Sequence, residues 1–373
     1  MENSAFAFDL YQQLRSSEGN LFFSPYSIST ALAMTYAGAR GNTKEQMAKT
    51  LRFSLDQENL HPACARLKTW MNQLQESGGI RLHVANSLWP QEGYKFLDEY
   101  LSLVKKHYGA SITPIDYEHA PETARKTINQ WIENKTQHKI KDMIQSGVLD
   151  PLTTLVLTNA IYFKGTWVSR FDAGDTYDMN FYVSPTQYVQ TPMMSQMEKV
   201  KYAQLESLQI LELPYVGDGL SMLILLPRIT EGLGPLEQSL SVKSVQAWRG
   251  RLRKRKVNIY LPKFKMTCQF RLDGKLRAMG MVDAFSLPPA DFSGMTGTRD
   301  LFITAAIHKA YADVDEEGTE AAAGTAMVAP RSGGIRWPPE FRADHPFLFL
   351  IQENRTGSIL FMGRVADPTK SGE

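Results

Sequence analysis

The segment LTTLVLTNAIYFKGTW, residues 152–167, constrains the fold more than any other part of this chain. It is rich in β-branched and aromatic residues, and apolar side chains occupy both of its alternating faces. A strand that is apolar on both faces lies in the middle of a sheet that is covered on both sides. We therefore expect this segment to be a central, buried strand.

Helices and β-segments alternate irregularly around this strand. Helices are predicted near residues 62–77, 97–108 and 121–137, with a strand at 80–90. The second half is mostly β, with hairpin turns at 216–219 and 354–357. No internal repeat and no long linker interrupts the chain, so the class is α+β with residues 1–373 as one domain.

Composition and charge exclude several kinds of function. A formal net charge of +2 gives no electrostatic reason to bind nucleic acid, and no apolar run is long enough for a membrane-spanning helix. The chain lacks the GxSxG, P-loop, dinucleotide-binding, HExxH and CxxC motifs, and its seven histidines are not spaced as metal ligands. His308, in an apolar segment, is expected to be a hydrogen-bonded core residue. We expect no enzymatic activity, no catalytic residues, no metal and no cofactor.

Cysteine usage and the N-terminal segment bear on the compartment. Cys64 and Cys268 are far apart in the sequence, so one disulfide stays open as an alternative, but two free thiols in a reducing compartment are favoured. The first twenty residues have early acidic groups and helical spacing of apolar residues, unlike a signal peptide. We expect a cytoplasmic protein, with secretion as the alternative. The sequons at Asn134 and Asn354 would matter only in a secreted form.

A cluster of basic residues lies in the segment RGRLRKRKVNIYLP. Its members are Arg249, Arg251, Arg253, Lys254, Arg255 and Lys256. The favoured interpretation is a solvated turn that leads into a strand, and the alternative is a weak polyanion contact.

The segment DEEGTEAAAGTAMVAPRSGGIRWPPEF, residues 315–341, contains an unusual run of small residues. Written as a strand, one face of 319–329 carries Thr319, Ala321, Ala323, Thr325, Met327 and Ala329. That face has no charge, so it could enter an existing sheet without burying an ion. A helix is the alternative, but Gly318, Gly324 and Pro330 would interrupt it. The pattern suits an exposed segment that later becomes a buried strand.

The chain resembles the serpins along essentially its whole length, and several of the shared motifs are long and specific. They include FFSPYSISTALAM, LTNAIYFKGTW, ILELPYVGDGLSMLILLP, LPKFKM, IHKAYADVDEEGTEAAAGTA, ADHPFLFLI and GSILFMGRV. The absence of a cleavable signal peptide makes it similar to the ovalbumin-like members. The resemblance implies a fold of three β-sheets and about nine helices, with an exposed reactive-centre loop at about 316–340. It also implies a monomer whose cleaved loop inserts into the main sheet while a protease is held as an acyl-enzyme.

The resemblance also implies three groups of functional residues. The hinge of the loop is Glu316, Glu317, Gly318, Thr319, Glu320, Ala321, Ala322 and Ala323. The shutter cluster beneath the sheet is Ser24, Ser27, Asn159 and His308. The breach, where the loop first enters, is Trp167, Lys263 and Glu316.

The scissile bond is predicted from the residue count of the family. Counting seventeen residues from Glu316 gives Ser332, which offers a protease pocket little. The sixteenth is Arg331, a cation suited to an acidic specificity pocket. We expect cleavage between Arg331 and Ser332, with Arg336 as the runner-up. Pro330 before the arginine would also suit a thrombin-like pocket.

The predicted function is therefore irreversible inhibition of a trypsin-like serine protease through a covalent complex. A thrombin-like protease is the narrower form of this prediction. The uncharged, small inward positions Thr319, Ala321 and Ala323 favour an inhibitor over a storage, carrier or chaperone role. A non-inhibitory binding protein and a hydrolase are kept as alternatives.

Overall fold

The computed structural model describes residues 2–76, 78–110, 112–317 and 337–372. Ten α-helices lie within these ranges: α1 (Glu2–Leu14), α2 (Pro25–Gly38), α3 (Gly41–Thr50), α4 (Gln57–Glu76), α5 (Asp98–Tyr108), α6 (Pro121–Lys135), α7 (Leu233–Ser239), α8 (Val242–Arg251), α9 (Asp273–Ala278) and α10 (Ser293–Thr296). The helices predicted near residues 62–77, 97–108 and 121–137 are present as α4, α5 and α6. The strand predicted at 80–90 is also present, as Ile80–Pro90.

Thirteen strands occupy the same described ranges. They are β1 (Leu21–Phe23), β2 (Ile80–Pro90), β3 (Leu155–Gly165), β4 (Thr176–Ser184), β5 (Gln187–Gln204), β6 (Leu208–Pro214), β7 (Leu220–Pro227), β8 (Arg253–Pro262), β9 (Phe264–Arg271), β10 (Ala305–Val314), β11 (Glu340–Arg342), β12 (Phe347–Glu353) and β13 (Ile359–Val365).

Nine of the strands form one continuous ladder in the order β1-β13-β12-β7-β6-β5-β8-β11, with β4 paired to β5. The long strand β5 joins two groups of strands, because its residues 193–202 pair with β8 while residues 201–204 pair with β6. These two groups and the separate four-stranded sheet correspond to the three sheets that the resemblance implies.

The four-stranded sheet has the order β2-β3-β10-β9 and contains the strand that the sequence predicts to be central. The first nine residues of β3 are buried, as its two apolar faces predict. β3 pairs with β2 and β10 pairs with β9 in antiparallel fashion, whereas β3 and β10 are parallel neighbours. The centre of the sheet is thus a parallel pair between two antiparallel ones.

Helices cover both faces of this sheet. On one face, Ala124, Ile128 and Ile132 of α6 pack with Ala160 of β3. On the other face lies α2, which is buried along most of its length. Its first turn is stabilised because the Ser24 side chain accepts a hydrogen bond from the Ser27 amide, and Pro25 supplies a favourable first residue. The sheet is therefore held between helices.

Both predicted hairpins are present. β6 and β7 are antiparallel and are joined by a turn in which Gly217 and Asp218 have φ angles of 91° and 54°. β12 and β13 are antiparallel, and Gly357 between them has a φ of 71°. Positive φ is accessible to glycine at little cost, which is why these turns were visible in the sequence.

Candidate functional site

A buried polar cluster lies where β3 and β10 pair. Asn159 and His308 are directly opposite each other in the parallel register, and the His308 Nδ1 and Asn159 Oδ1 atoms share a hydrogen bond. The Asn159 amide nitrogen donates to Ser27 Oγ at 2.6 Å, and Ser24 Oγ donates to the Leu360 carbonyl at 2.7 Å. The cluster therefore links two strands of the sheet to the start of α2.

The protonation of His308 follows from its partners. The backbone N–H of Ser24 donates to His308 Nε2 at 3.1 Å, so Nε2 accepts and the ring proton resides on Nδ1, which donates to Asn159. Burial of the ring lowers the pKa of His308 to about 3, only partly opposed by its bond to Asn159. The imidazole is thus neutral at physiological pH and cannot act as a free base, because both nitrogens are engaged.

The structure adds one member to this cluster that the sequence reasoning missed. Asn86 of β2 accepts hydrogen bonds from the Asn159 amide and, at 3.3 Å, from Ser27 Oγ. The sequence contains a weak indication of this role, because Asn86 is a polar residue on the same face of the strand as Leu82 and Leu88. Three strands, β2, β3 and β10, therefore meet at one set of hydrogen bonds.

A second polar cluster holds the end of β10. Glu316 Oε2 lies 2.6 Å from the Nζ atom of Lys263, and Thr176 donates to Glu316 Oε1 at 2.9 Å. Burial raises the pKa of the Glu316 carboxyl, but the bonds from Lys263 and Thr176 more than offset this and hold it below its usual value. Glu316 is therefore ionised and tied to two other segments.

Trp167 completes this second cluster. Its indole N–H donates to the Asp315 carbonyl at 3.0 Å, and its ring stacks on Tyr215 with centroids 4.5 Å apart. Lys164 contributes an ion pair to Asp315, with Nζ 3.0 Å from Oδ2. The structure thus brings Trp167, Lys263 and Glu316 together, and Asp315 was not singled out from the sequence.

The rest of the predicted loop is covered only in part by the described residues. The predicted hinge residues Gly318, Thr319, Glu320, Ala321, Ala322 and Ala323, and the cleavage-site candidates Arg331, Ser332 and Arg336, lie outside the described residues. At the distal end, β11 pairs in parallel with β8, and the Asn258 amide donates to the Pro339 carbonyl at 2.9 Å. Trp337, just before this anchor, is 75% exposed.

Other predicted features are placed as follows. Cys64 and Cys268 are both free thiols. Four residues of the basic cluster form the exposed first part of β8, where Lys256 faces Lys199 of β5 and Lys254 faces Lys201. Within the described ranges, no group of three metal-ligating side chains occurs and no helix is both long and apolar enough to cross a membrane.

Comparison with known proteins assigns the family. The family model "Serpin (serine protease inhibitor)" matches residues 1–368. The chain is 42% identical to human "Serpin B3" over 98% of each chain, and 43% identical to the "Leukocyte elastase inhibitor" of Xenopus laevis over 97% of each. The solved structure of uncleaved ovalbumin matches with a TM-score of 0.89 at 34% identity, covering 98% of this chain and 99% of that one.

A second solved structure supports the same assignment. Serpin48 of the insect Tenebrio molitor matches with a TM-score of 0.85 at 32% identity, covering 98% of this chain and 97% of that one. The α+β architecture described above is thus the serpin fold, and the family is one of inhibitors, not of catalytic enzymes. The chain belongs to the serpin family of serine protease inhibitors.

Proposed function

We propose that this chain inhibits trypsin-like serine proteases irreversibly, as a suicide substrate whose cleaved loop inserts into the four-stranded sheet. The observation that carries the proposal is the direct parallel pairing of β3 with β10. The loop begins immediately after β10, so a segment that reverses there would run antiparallel to both strands. One parallel pair would become two antiparallel pairs, which are slightly more stable per residue and add a second ladder of hydrogen bonds.

The uncleaved state is metastable in this proposal because insertion first requires the sheet to open. The bonds of Asn159 to His308, Ser27 and Asn86 cross or border the line of opening. We assign these residues and Ser24 the role of a shutter, which holds the sheet closed until the loop is cut. Lys263, Trp167 and Glu316 act as the breach, where the loop would start to enter.

The loop composition suits burial in the sheet. Thr319, Ala321 and Ala323 would occupy the inward face of the new strand, and each is small and uncharged. Burying them adds neither a cavity nor an unpaired charge. This feature favours an inhibitor over a non-inhibitory serpin that acts as a binding protein or chaperone.

Arg331 supports the choice of a trypsin-like target. Its guanidinium would pair with an acidic residue in the specificity pocket of the protease, as lysine and arginine substrates do in trypsin. Several similar proteins carry the name "Leukocyte elastase inhibitor", so an elastase is the alternative target to be tested. The matches to those proteins cover 97% or more of this chain, whereas protease choice depends on the few loop residues beside the cleaved bond.

The test is to mix the protein with trypsin, and separately with leukocyte elastase, and to analyse each mixture on a denaturing gel. A covalent complex with trypsin, and cleavage after Arg331 identified by mass spectrometry, is the expected result. Loop cleavage without a stable complex would show a non-inhibitory serpin. A complex with elastase alone would move the scissile bond away from Arg331. Ester hydrolysis by the protein alone would instead identify a hydrolase.

Two variants test the mechanism within that experiment. Thr319→Arg would require the sheet to bury an unpaired cation, which costs at least several kcal/mol. Insertion would then be slower than hydrolysis of the acyl-enzyme, and each 1.4 kcal/mol slows it about tenfold. The variant should be cleaved as a substrate with trypsin released, whereas Arg331→Ala should lose attack by trypsin altogether. One-to-one trapping by Thr319→Arg would exclude insertion as the trap.

We also propose that the protein works as a monomer inside the cell. The two free thiols suit a reducing compartment. An N-linked glycan in natural material would contradict this proposal. Asn134 is exposed on α6, whereas the Asn354 amide already donates to the Asp218 carbonyl at 2.8 Å. A secreted form would therefore be expected to carry its glycan on Asn134.

A further inference from the structure

A cavity of about 820 Å³ lies beside β2, the edge strand of the four-stranded sheet. Parts of α2, α4, α5 and α6 complete its walls. Its apolar lining includes Met34, Met71, Leu82, Val84, Leu101 and Val104. Val84 and Leu101 are 37% and 38% exposed, so this part of the apolar wall is open to water, whereas the other four side chains are buried.

The charged lining of the cavity is of one sign. Lys68 of α4, Lys105 of α5 and Lys135 of α6 all contribute to it, and no aspartate or glutamate does. Lys68 Nζ donates to the Tyr108 carbonyl at 2.5 Å, and Lys135 Nζ lies 5.9 Å from the centre of the Trp131 ring. Among the described residues, none of these three ammonium groups has a carboxylate within salt-bridge distance.

An apolar wall that faces unpaired cations matches one class of ligand. A carboxylate could pair with the lysines while an attached alkyl chain covers the exposed apolar side chains, which removes apolar area from water. A neutral alkyl compound would leave the lysines unpaired, and an inorganic anion would leave the apolar wall exposed. We propose that this cavity binds a small amphipathic carboxylate of the fatty-acid type.

The position of the cavity connects it to opening of the sheet. Asn86 lines the cavity and also bonds to Asn159 and Ser27. A new strand between β3 and β10 would move them apart by about 4.8 Å, one strand spacing. One end of β2 is held by backbone bonds, because the Thr113 and Ile115 amides donate to the Leu88 and Pro90 carbonyls, and the rest of its edge borders the cavity. A shift of β2 and β3 toward the cavity would be opposed by a bound ligand. This second step rests on the proposed insertion mechanism, whereas the binding step does not.

Binding is tested by titrating the intact protein with decanoate and with decan-1-ol, using isothermal calorimetry. Saturable one-to-one binding of decanoate is expected, with decan-1-ol at least about tenfold weaker because its hydroxyl brings no negative charge to the lysine ammonium groups. The double variant Lys105→Gln/Lys135→Gln should bind decanoate about tenfold or more weakly. Lys106→Gln, on the same helix but outside the cavity lining, is the matched control and should bind normally.

Equal affinity for the acid and the alcohol, or unchanged affinity in the double variant, would overturn the proposed site, as would no binding at all. Thermal unfolding of each variant without ligand checks that the fold is retained. Lys68→Met provides a second variant, since it removes the least exposed of the three cations without touching the other two.

Coupling to the sheet is tested by amide hydrogen exchange and by inhibition. Saturating decanoate should slow exchange in residues 156–163 and 305–312, and should increase the number of inhibitor molecules consumed per trypsin trapped. Neither effect should appear in the double variant. Binding without either effect would overturn the coupling alone. Complete failure to trap any protease would instead refute the proposed function. In that case calorimetry and hydrogen exchange would still test whether the cavity binds decanoate.

Discussion

His308 and Asn159 lie opposite each other in the parallel β3–β10 pair, and the hydrogen bond between them crosses the line along which a strand would enter. The bond is buried and belongs to a network that reaches α2 and β2. The part of the sheet that would open in the proposed mechanism thus contains a buried network of side-chain hydrogen bonds.

Asn159→Ala is expected to destabilise the uncleaved protein by about 1–3 kcal/mol, because it leaves His308 Nδ1 without its acceptor in a dry environment. The thermal unfolding midpoint should fall, and amide exchange should accelerate in residues 305–312. Asn134→Ala, an exposed amide on α6, is the control and should change neither quantity. Unchanged exchange across β10 in Asn159→Ala would show that this bond does not hold the sheet closed.

The low pKa of His308 makes stability depend on pH. The folded-state pKa is about 3 against an ordinary value of 6.5, so the unfolded chain binds the additional proton between these values. The contribution of His308 is fully present above about pH 6.5 and is lost as the pH falls toward 3. Between pH 7 and pH 5 the loss amounts to about 2 kcal/mol.

The variant His308→Gln isolates this contribution. Burial also lowers the pKa of His61 to about 4, with a smaller effect from His107, so the variant should keep part of the pH dependence. Chemical unfolding at pH 7 and at pH 5 should show a smaller difference in His308→Gln than in the unsubstituted protein. The same difference in both proteins would mean that protonation of His308 does not limit stability.

Lys263→Ala is expected to loosen the start of the loop. The Lys263 side chain is 37% exposed, so the ion pair itself contributes little, but Glu316 is largely buried and would lose its main counter-charge. A loss of about 1 kcal/mol is expected at pH 7. Proteolysis of the 315–317 region should become faster. Glu316→Gln keeps the bond to Thr176 and should be less affected, so equal damage in both variants would argue against a counter-charge role.

A weak polyanion contact is the alternative interpretation of the basic cluster, and the like-charged pairs across β5 and β8 provide a test of it. Lys256 faces Lys199 directly, and opposed like charges destabilise a sheet by about 0.2–1 kcal/mol. Lys256→Gln should therefore raise stability slightly while weakening binding to heparin. Affinity for heparin should fall steeply with salt concentration. Lys243→Gln on α8 is the control, and equal heparin affinity in both variants would favour the solvated interpretation.

Sequence patterns predicted the fold closely where the local chemistry was unambiguous. The turns at 216–219 and 354–357 rest on glycines that adopt positive φ, and β3 was evident from its two apolar faces. The start of α4 was less clear, because Pro62 suggests a helix boundary and yet lies inside the helix. The capping signal was further upstream, where Asp56 Oδ1 accepts a hydrogen bond from the Asn59 amide.

Other features depend on tertiary contacts that no local pattern contains. β4 and β5 were not predicted, since β5 is partly exposed, carries several charges and includes Pro192. The roles of Ser24, Ser27, Asn159 and His308 came from the family resemblance, because nothing in their spacing places them together. Asn86 was missed for the same reason, as its partners are contributed by α2 and β3.

The pairing of β1 with β13 has a consequence for biosynthesis. Leu21 of β1 lies opposite Arg364 of β13, so β1 cannot form this pairing until β13 has been synthesised. At about 5–20 residues per second, the ribosome needs roughly 20–70 seconds to make the intervening segment. During that time β1 has no hydrogen-bonding partner strand, because β13 has not yet been synthesised. The nascent chain must therefore remain incompletely folded until residues 359–365 have been synthesised, and the pairing of β1 with β13 is a late step of folding.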